Sequence, residues 1–204
     1  MSNKVILSFV ATIFSMFTLS AQDAEGWIEA LNKSLGTRYT MSAVVEVGSD
    51  GGVAEELNGI FMVDGDGYYL SLGLMEVYSD GKLRYEVNNE RKEVTIDRVD
   101  LTSHDILTNP TNAFRFASEE FSSTVVADKG DEVVLSLTPR EDTGITEIEL
   151  TLQRNADGAV VPLVVRYNYD GDIIRVLLAL QPTDAKLRCW DKDAYRAYDV
   201  VSFV

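Results

Sequence analysis

The chain has 204 residues, 46% of them hydrophobic, enough for one domain with a core of its own. Its 33 acidic residues against 18 basic ones give a formal charge of −15. That balance excludes nucleic acid and anionic membrane surfaces as electrostatic partners and leaves room for a partner with a basic patch.

Lys4 is the only charged residue before Asp23, and an apolar run from Val5 to Leu19 ends in Ser20-Ala21. A basic start, a short apolar stretch and a small residue at the cut describe a cleaved secretory signal peptide, residues 1–21. The mature domain would be 22–204. The run falls short of the ~20 residues that span a bilayer, and no second such run follows, so no stable membrane insertion is expected. Cys189 is alone, which excludes an internal disulfide. Leu187-Arg188-Cys189-Trp190 has the pattern of a strand, with a buried, inert thiol.

From Asp23 the pattern is helical. Trp27, Leu31 and Leu35 recur every fourth residue beside Ile28, Asp23 is a suitable N-cap, and Gly36 ends the helix. Strands follow. Tyr39, Met41, Ala43, Val45 and Val47 alternate with polar residues, and after a Gly-rich hairpin loop come Leu57, Gly59, Phe61 and Val63. Asp64-Gly65-Asp66-Gly67 is a turn, then Tyr68–Leu72 and Leu74–Tyr78. Ser79-Asp80-Gly81 turns the chain into Leu83, Tyr85 and Val87, and Asn88-Asn89-Glu90-Arg91 turns it again into Val94 and Ile96.

From Leu101 the pattern changes to short helical turns around Asn109-Pro110, with Ile106, Leu107, Ala113 and Phe114 as apolar members. A second series of strands begins at Phe121 and runs to Leu180, with a turn signal after every ~8–12 residues, the rhythm of an antiparallel meander. A turn at Asp191-Lys192-Asp193 precedes a last strand from Tyr198 to Val204.

The chemistry of catalysis is missing. His104 is the sole histidine, and Asp105 beside it points elsewhere on a helical turn, so the two do not form a triad. There is no His/Cys cluster for zinc and no Gly-rich nucleotide loop, and Asp64 and Asp66 lack the remaining oxygen ligands of a calcium loop. No enzyme activity, metal or cofactor is expected.

These features together resemble the periplasmic outer-membrane lipoprotein carrier family (LolA-like), in a divergent branch of the Bacteroides type. The resemblance rests on Ser79-Asp80-Gly81-Lys82 followed by Tyr85, Asn88 and Val94-Thr95-Ile96. It extends to Asn109-Pro110 and to Trp190-Asp191-Lys192-Asp193 running into Val200-Val201. It implies a mainly β (α+β) fold: an incomplete antiparallel β-barrel with an N-terminal helix and short lid helices over an apolar cavity. It further implies a monomeric periplasmic chaperone that takes lipoprotein acyl chains from an inner-membrane release complex to an outer-membrane receptor. The alternative is an envelope sensor module on the same half-barrel, binding a lipid or a partner. The family's arginine-proline pair before the third strand is replaced by Asp64-Gly65-Asp66-Gly67, its tryptophan by Tyr85 and its following tyrosine by Val87. The usual latch of the lid is therefore absent.

The cavity wall expected on this reading is Tyr39, Met41, Val45, Phe61, Val63, Leu83, Tyr85, Val94 and Ile96. The lid would contribute Trp27, Leu31, Ile106, Leu107 and Phe114. Both a core face and a cavity face are apolar, so the alternation leaves open which side of each strand lines the cavity.

Overall fold

A computed structural model describes residues 23–49, 52–103, 106, 108–111, 114, 120–141, 145–169, 172–182 and 184–204. The expected signal peptide, His104 and Leu107 lie outside the described residues. One helix, α1 (Ala24–Leu35), is followed by β1 (Arg38–Ser49), β2 (Gly52–Asp64), β3 (Gly67–Leu72), β4 (Met75–Ser79), β5 (Leu83–Asn88) and β6 (Glu93–Arg98). After residues 99–120 come β7 (Phe121–Asp128), β8 (Glu132–Pro139), β9 (Glu147–Arg154), β10 (Val160–Tyr169) and β11 (Asp172–Gln181), and last β12 (Asp199–Ser202).

All twelve strands belong to one sheet in the order β12-β6-β5-β4-β3-β2-β1-β11-β10-β9-β8-β7. The two meanders are joined where β1 pairs antiparallel with β11, from Thr40↔Gln181 to Ser49↔Asp172. The ends of the sheet, β12 and β7, do not pair with each other, so the barrel is incomplete as expected. The described residues between Leu101 and Glu120 take turns and no helix. Asn109-Pro110 removes a backbone donor and disfavours the helical region just before it, which is why a compact turn forms there.

α1 forms because its apolar residues fall on one stripe. Ala24, Trp27, Ile28, Leu31 and Leu35 are buried, and the Gly26 amide donates to Asp23 Oδ1 at 2.9 Å as an N-cap. Gly36 ends the helix at φ 61°, a conformation that favours glycine. At Gly81 (φ 87°) the requirement is stricter, since a Cβ would also stand 2.7 Å from that of Asp66. Asp80 completes that turn: its carboxylate accepts from the Leu83 and Lys82 amides at 2.9 Å each, which holds it below the usual carboxylate range.

β2 and β3 are apolar on both faces, and this gives the sheet two cores. Phe61, Val63, Tyr68 and Leu70 face one side together with Met41, Val45, Val77, Leu135, Leu150 and the buried residues of α1. Met62 and Tyr69 face the other side with Tyr78, Val87 and Val94. The first side is called inner here, the second outer. The signal was present in the runs Ile60-Phe61-Met62-Val63 and Tyr68-Tyr69-Leu70, which do not alternate.

The outer core is covered by the chain between β11 and β12. Leu187, Trp190, Tyr195 and Tyr198 pack on it, and Trp190 is stacked between Tyr85 (4.8 Å, 8°) and Tyr195 (5.0 Å, 4°). This strap carries the chain to the far edge of the sheet, so β12 pairs with β6 in parallel, from Asp199↔Glu93 to Ser202↔Ile96. Residues 187–190 are not a strand, and Cys189 is exposed. The expectation of a buried thiol is corrected: Leu187 and Trp190 turn inward from a segment without regular structure, which leaves Cys189 outside.

Glu76 is the polar centre of this strap. Its carboxylate accepts from the Tyr69 and Tyr195 hydroxyls at 2.8 Å each, from Asn89 Nδ2 at 3.2 Å and from the Tyr78 hydroxyl at 3.4 Å. Burial opposes its charge, but these hydrogen bonds, that of Tyr195 foremost, hold the carboxyl below its ordinary value. The folded state therefore gains stability above the ordinary carboxyl pKa near 4.5 and loses it as pH falls through the lower folded value. Glu76→Gln should lower stability at pH 7 by on the order of 1–2 kcal/mol. Urea unfolding at pH 7 and at pH 3 checks this: the gap between variant and wild type should shrink at pH 3, and an unchanged gap would remove Glu76's charge from the strap.

Candidate functional site

The inner face is one continuous apolar surface laid out by strand register. One row across it reads Met41, Phe61, Leu70, Val77, and the next reads Tyr39, Val63, Tyr68, Ser79. On the other side of β1 the surface continues through Leu178 and Val176 of β11, Val165 and Tyr167 of β10, Leu150 and Leu152 of β9, and Leu135 of β8. The rows end at β5 and β6, where the same positions hold Glu86 and Thr95, and Arg84 and Asp97.

The expected wall residues do not share one face. Tyr39, Met41, Val45, Phe61 and Val63 lie together in the inner core. Tyr85, Val94 and Ile96 belong to the outer core under the strap, and Leu83 shares their side of β5. The reason is parity: Tyr85 is paired with Tyr78, and Tyr78 with Tyr69, so the hairpin's dry face continues from Met62 and Tyr69, away from Phe61. A one-residue change of register would have put it on the inner side.

The expected lid residues Trp27, Leu31, Ile106 and Phe114 do come together on the inner core, all buried. α1 lies over β10 and β7. The guanidinium of Arg154 sits 4.5 Å from the centre of the Trp27 ring, and the Val160 amide donates to Ser34 Oγ at 2.9 Å. The helix is tied to the turn at Phe114 by Asn32, whose Nδ2 donates to the Phe114 carbonyl at 3.1 Å.

Three tyrosines standing on the inner face hold the turns at Ile106, Thr108 and Pro110 down. The Tyr39 hydroxyl donates to the Pro110 carbonyl at 2.6 Å and the Tyr68 hydroxyl to the Thr108 carbonyl at 3.2 Å. The Ile106 amide donates to the Tyr167 hydroxyl at 3.2 Å. Each tyrosine belongs to the apolar surface through its ring and to the cover through its oxygen. Burial pushes the Tyr68 phenol up, against the pull of the Arg84 guanidinium beside it, so it stays a neutral donor. Sequence reasoning placed these tyrosines in strands and missed their partners, because a hydroxyl's acceptor 40 or 71 residues away has no local signal.

The arrangement places an apolar surface under a cover held in part by hydrogen bonds. Three neutral hydrogen bonds contribute about 3 kcal/mol together, and reburying Ile106 and Phe114 adds about 3–6 kcal/mol. A bound acyl chain gains about 0.8 kcal/mol per CH₂, so one long chain outweighs these three hydrogen bonds and the two side chains Ile106 and Phe114 together. The outer side offers no equivalent. A groove of about 580 Å³ beside the strap is lined by Asp64, Asp66, Asp80, Tyr85 and Trp190 among others, and carboxylates suit water there better than hydrocarbon. Among the described residues there is no group of three or more His, Cys, Asp or Glu placed to hold a metal ion, and no helix is long and apolar enough to cross a membrane.

An open single-sheet half-barrel whose apolar inner face lies under a helix and a hydrogen-bonded segment is the class of protein this geometry defines. A structure of an uncharacterized conserved protein from Thermus thermophilus is similar to it at a TM-score of 0.51 and 13% identity, over 88% of this chain and 98% of that one. That likeness shows the fold alone. A LolA superfamily protein from Nitrosomonas europaea aligns at a TM-score of 0.41 and 10% identity over 85% of this chain and 97% of its own. LprF from Mycobacterium bovis aligns at 0.42 and 10% over 81% and 94%. At these scores neither alignment carries weight for fold or function. No family model and no curated protein matches the chain.

Removing the tyrosine hydroxyls should loosen the cover without dismantling the sheet. Tyr167→Phe should raise the exchange rate of the Ile106 amide by about fivefold or more, the worth of one hydrogen bond of about 1 kcal/mol. The triple variant with Tyr39→Phe and Tyr68→Phe should increase binding of a fluorescent apolar dye while amide protection in β1 and β11 stays as in the wild type. Unchanged exchange at Ile106 would show that the cover is held by packing alone.

Proposed function

We propose that the chain is a periplasmic carrier that binds lipoprotein acyl chains on its inner face and takes them toward the outer membrane. The observation that carries this reading is the mismatch between face and cover. The apolar surface spans strands from β4 through β1 to β8, and among the described residues its cover is one twelve-residue helix and the turns at 106, 108–111 and 114, held by side-chain hydrogen bonds. A permanently sealed core is more commonly closed by a second sheet or by several helices. The resemblance around Ser79-Asp80-Gly81-Lys82 and Asn109-Pro110 supports the same reading. Tyr39, Met41, Val45, Phe61 and Val63 would touch the acyl chains, and Trp27, Leu31, Ile106, Leu107 and Phe114 would move with the cover. The role is binding and release, without catalysis, metal or cofactor. A cleaved signal peptide at 1–21 would deliver the monomeric domain 22–204 to the periplasm, where an inner-membrane release complex and an outer-membrane receptor would be its partners.

Depletion of the protein, with fractionation of the membranes, tests the role. A carrier leaves lipoproteins stranded in the inner membrane. Normal sorting would exclude it and leave the sensor module, for which lipid binding without transport is the expected behaviour.

A further inference from the structure

The polar margin of the inner face carries one donor that the fold does not use. Arg84 stands where the row Tyr39, Val63, Tyr68, Ser79 leaves its apolar part, between Ser79 of β4 and Asp97 of β6. One end of its guanidinium is taken: Nη2 lies 2.7 Å from Glu86 Oε2. Its Nε is buried and has no hydrogen-bond partner. The neighbouring hydroxyls are engaged elsewhere: Ser79 Oγ accepts from the Gly81 amide at 3.0 Å and the Tyr68 hydroxyl donates to the Thr108 carbonyl at 3.2 Å. A buried donor left unused is a standing cost, and in native proteins it commonly marks a place that something else completes.

The geometry points to Arg84 as the residue that holds the polar end of the acyl ligand, its Nε–H donating to an ester carbonyl. This rests on the carrier reading and deepens it: the acyl tail lies over β1–β4, and the head reaches the β5 margin. The charge around Arg84 selects the kind of head. Glu86 already neutralises the guanidinium, and Glu93 and Asp97 fall on the same side of β6, opposite to Val94 and Ile96. A free carboxylate would meet net negative charge there. An ester carbonyl accepts one hydrogen bond and brings no charge. The site therefore takes esterified acyl groups, as on a glyceride, in preference to free fatty acids.

Two fluorescent probes with the same tail separate the possibilities: cis-parinaric acid and its methyl ester, titrated at pH 7.5 into the full mature chain. The wild type should bind the ester more tightly than the acid by about tenfold, the scale of one hydrogen bond to a charged donor. Arg84→Met, which keeps an unbranched apolar stem and removes the donors, should lose that preference through weaker ester binding. Glu86→Gln should strengthen binding of the acid about tenfold with the ester unchanged within twofold, a gain that misfolding does not imitate. Should Arg84→Met fail to fold, the Glu86→Gln titration decides alone. Ester binding by Arg84→Met equal to that of the wild type, a wild-type preference for the acid, or no gain of acid binding in Glu86→Gln would overturn the role of Arg84 and leave the carrier reading standing. Failure of the wild type to bind either probe would remove both.

Discussion

The pairing of β1 with β11 is the interaction on which the rest of this structure depends. It joins the first strand to the last long one, across the whole sequence, and turns two separate meanders into one curved sheet. Without it the apolar residues of β2–β4 and those of β8–β10 would be two small patches, each needing its own cover. With it they form one surface too broad for a single helix to seal. Because the contacts are so distant in sequence, this joint pays its loop-closure entropy late, and the hairpins on either side are expected to form first.

A sheet that is apolar on both faces at β2 and β3 then has to be covered twice, and the two covers differ in kind. The outer one is aromatic and stacked: Tyr85, Trp190 and Tyr195 form successive layers, and Glu76 gathers the hydroxyls of Tyr69, Tyr78 and Tyr195. Among the described residues the inner one is a helix and the turns at Ile106, Thr108 and Pro110, held by three tyrosine hydroxyls on backbone groups. The first couples ring stacking to a charged acceptor. The second uses neutral hydrogen bonds, each of which water can replace. The difference in strength follows from chemistry, and on the proposed carrier reading it makes the inner cover the one that would move.

Much of this was legible in the sequence. Period-two alternation located the strands, Asp-Gly pairs located the turns, and Trp27, Leu31 and Leu35 located the helix with its cap and stop. The open β fold followed from them. What alternation does not contain is a side. Tyr85, Val94 and Ile96 are as apolar as Phe61 and Val63, and only the chain of pairings from β2 to β6 shows that they face away. The strap escapes a sequence reading because its aromatic residues, Trp190, Tyr195 and Tyr198, follow no period, whereas Leu187-Arg188-Cys189-Trp190 imitates a strand and so suggests a buried Cys189. Arg84 alternates with Leu83 and Tyr85 in the pattern of a solvent-facing residue, and its buried Nε is visible only once Ser79 and Asp97 stand beside it.

The central claim is that acyl chains lie on the inner face, and neighbouring residues of β2 can decide it, since Phe61 faces inward and Met62 outward. A phospholipid carrying a photoreactive group midway along one acyl chain would be incubated with the wild-type protein, irradiated, and the labelled positions read by mass spectrometry. The account predicts labels on Phe61, Leu70 and Val77, and none on Met62, Tyr69 or Tyr78. Labels concentrated on the second set would place the ligand under the strap and contradict it.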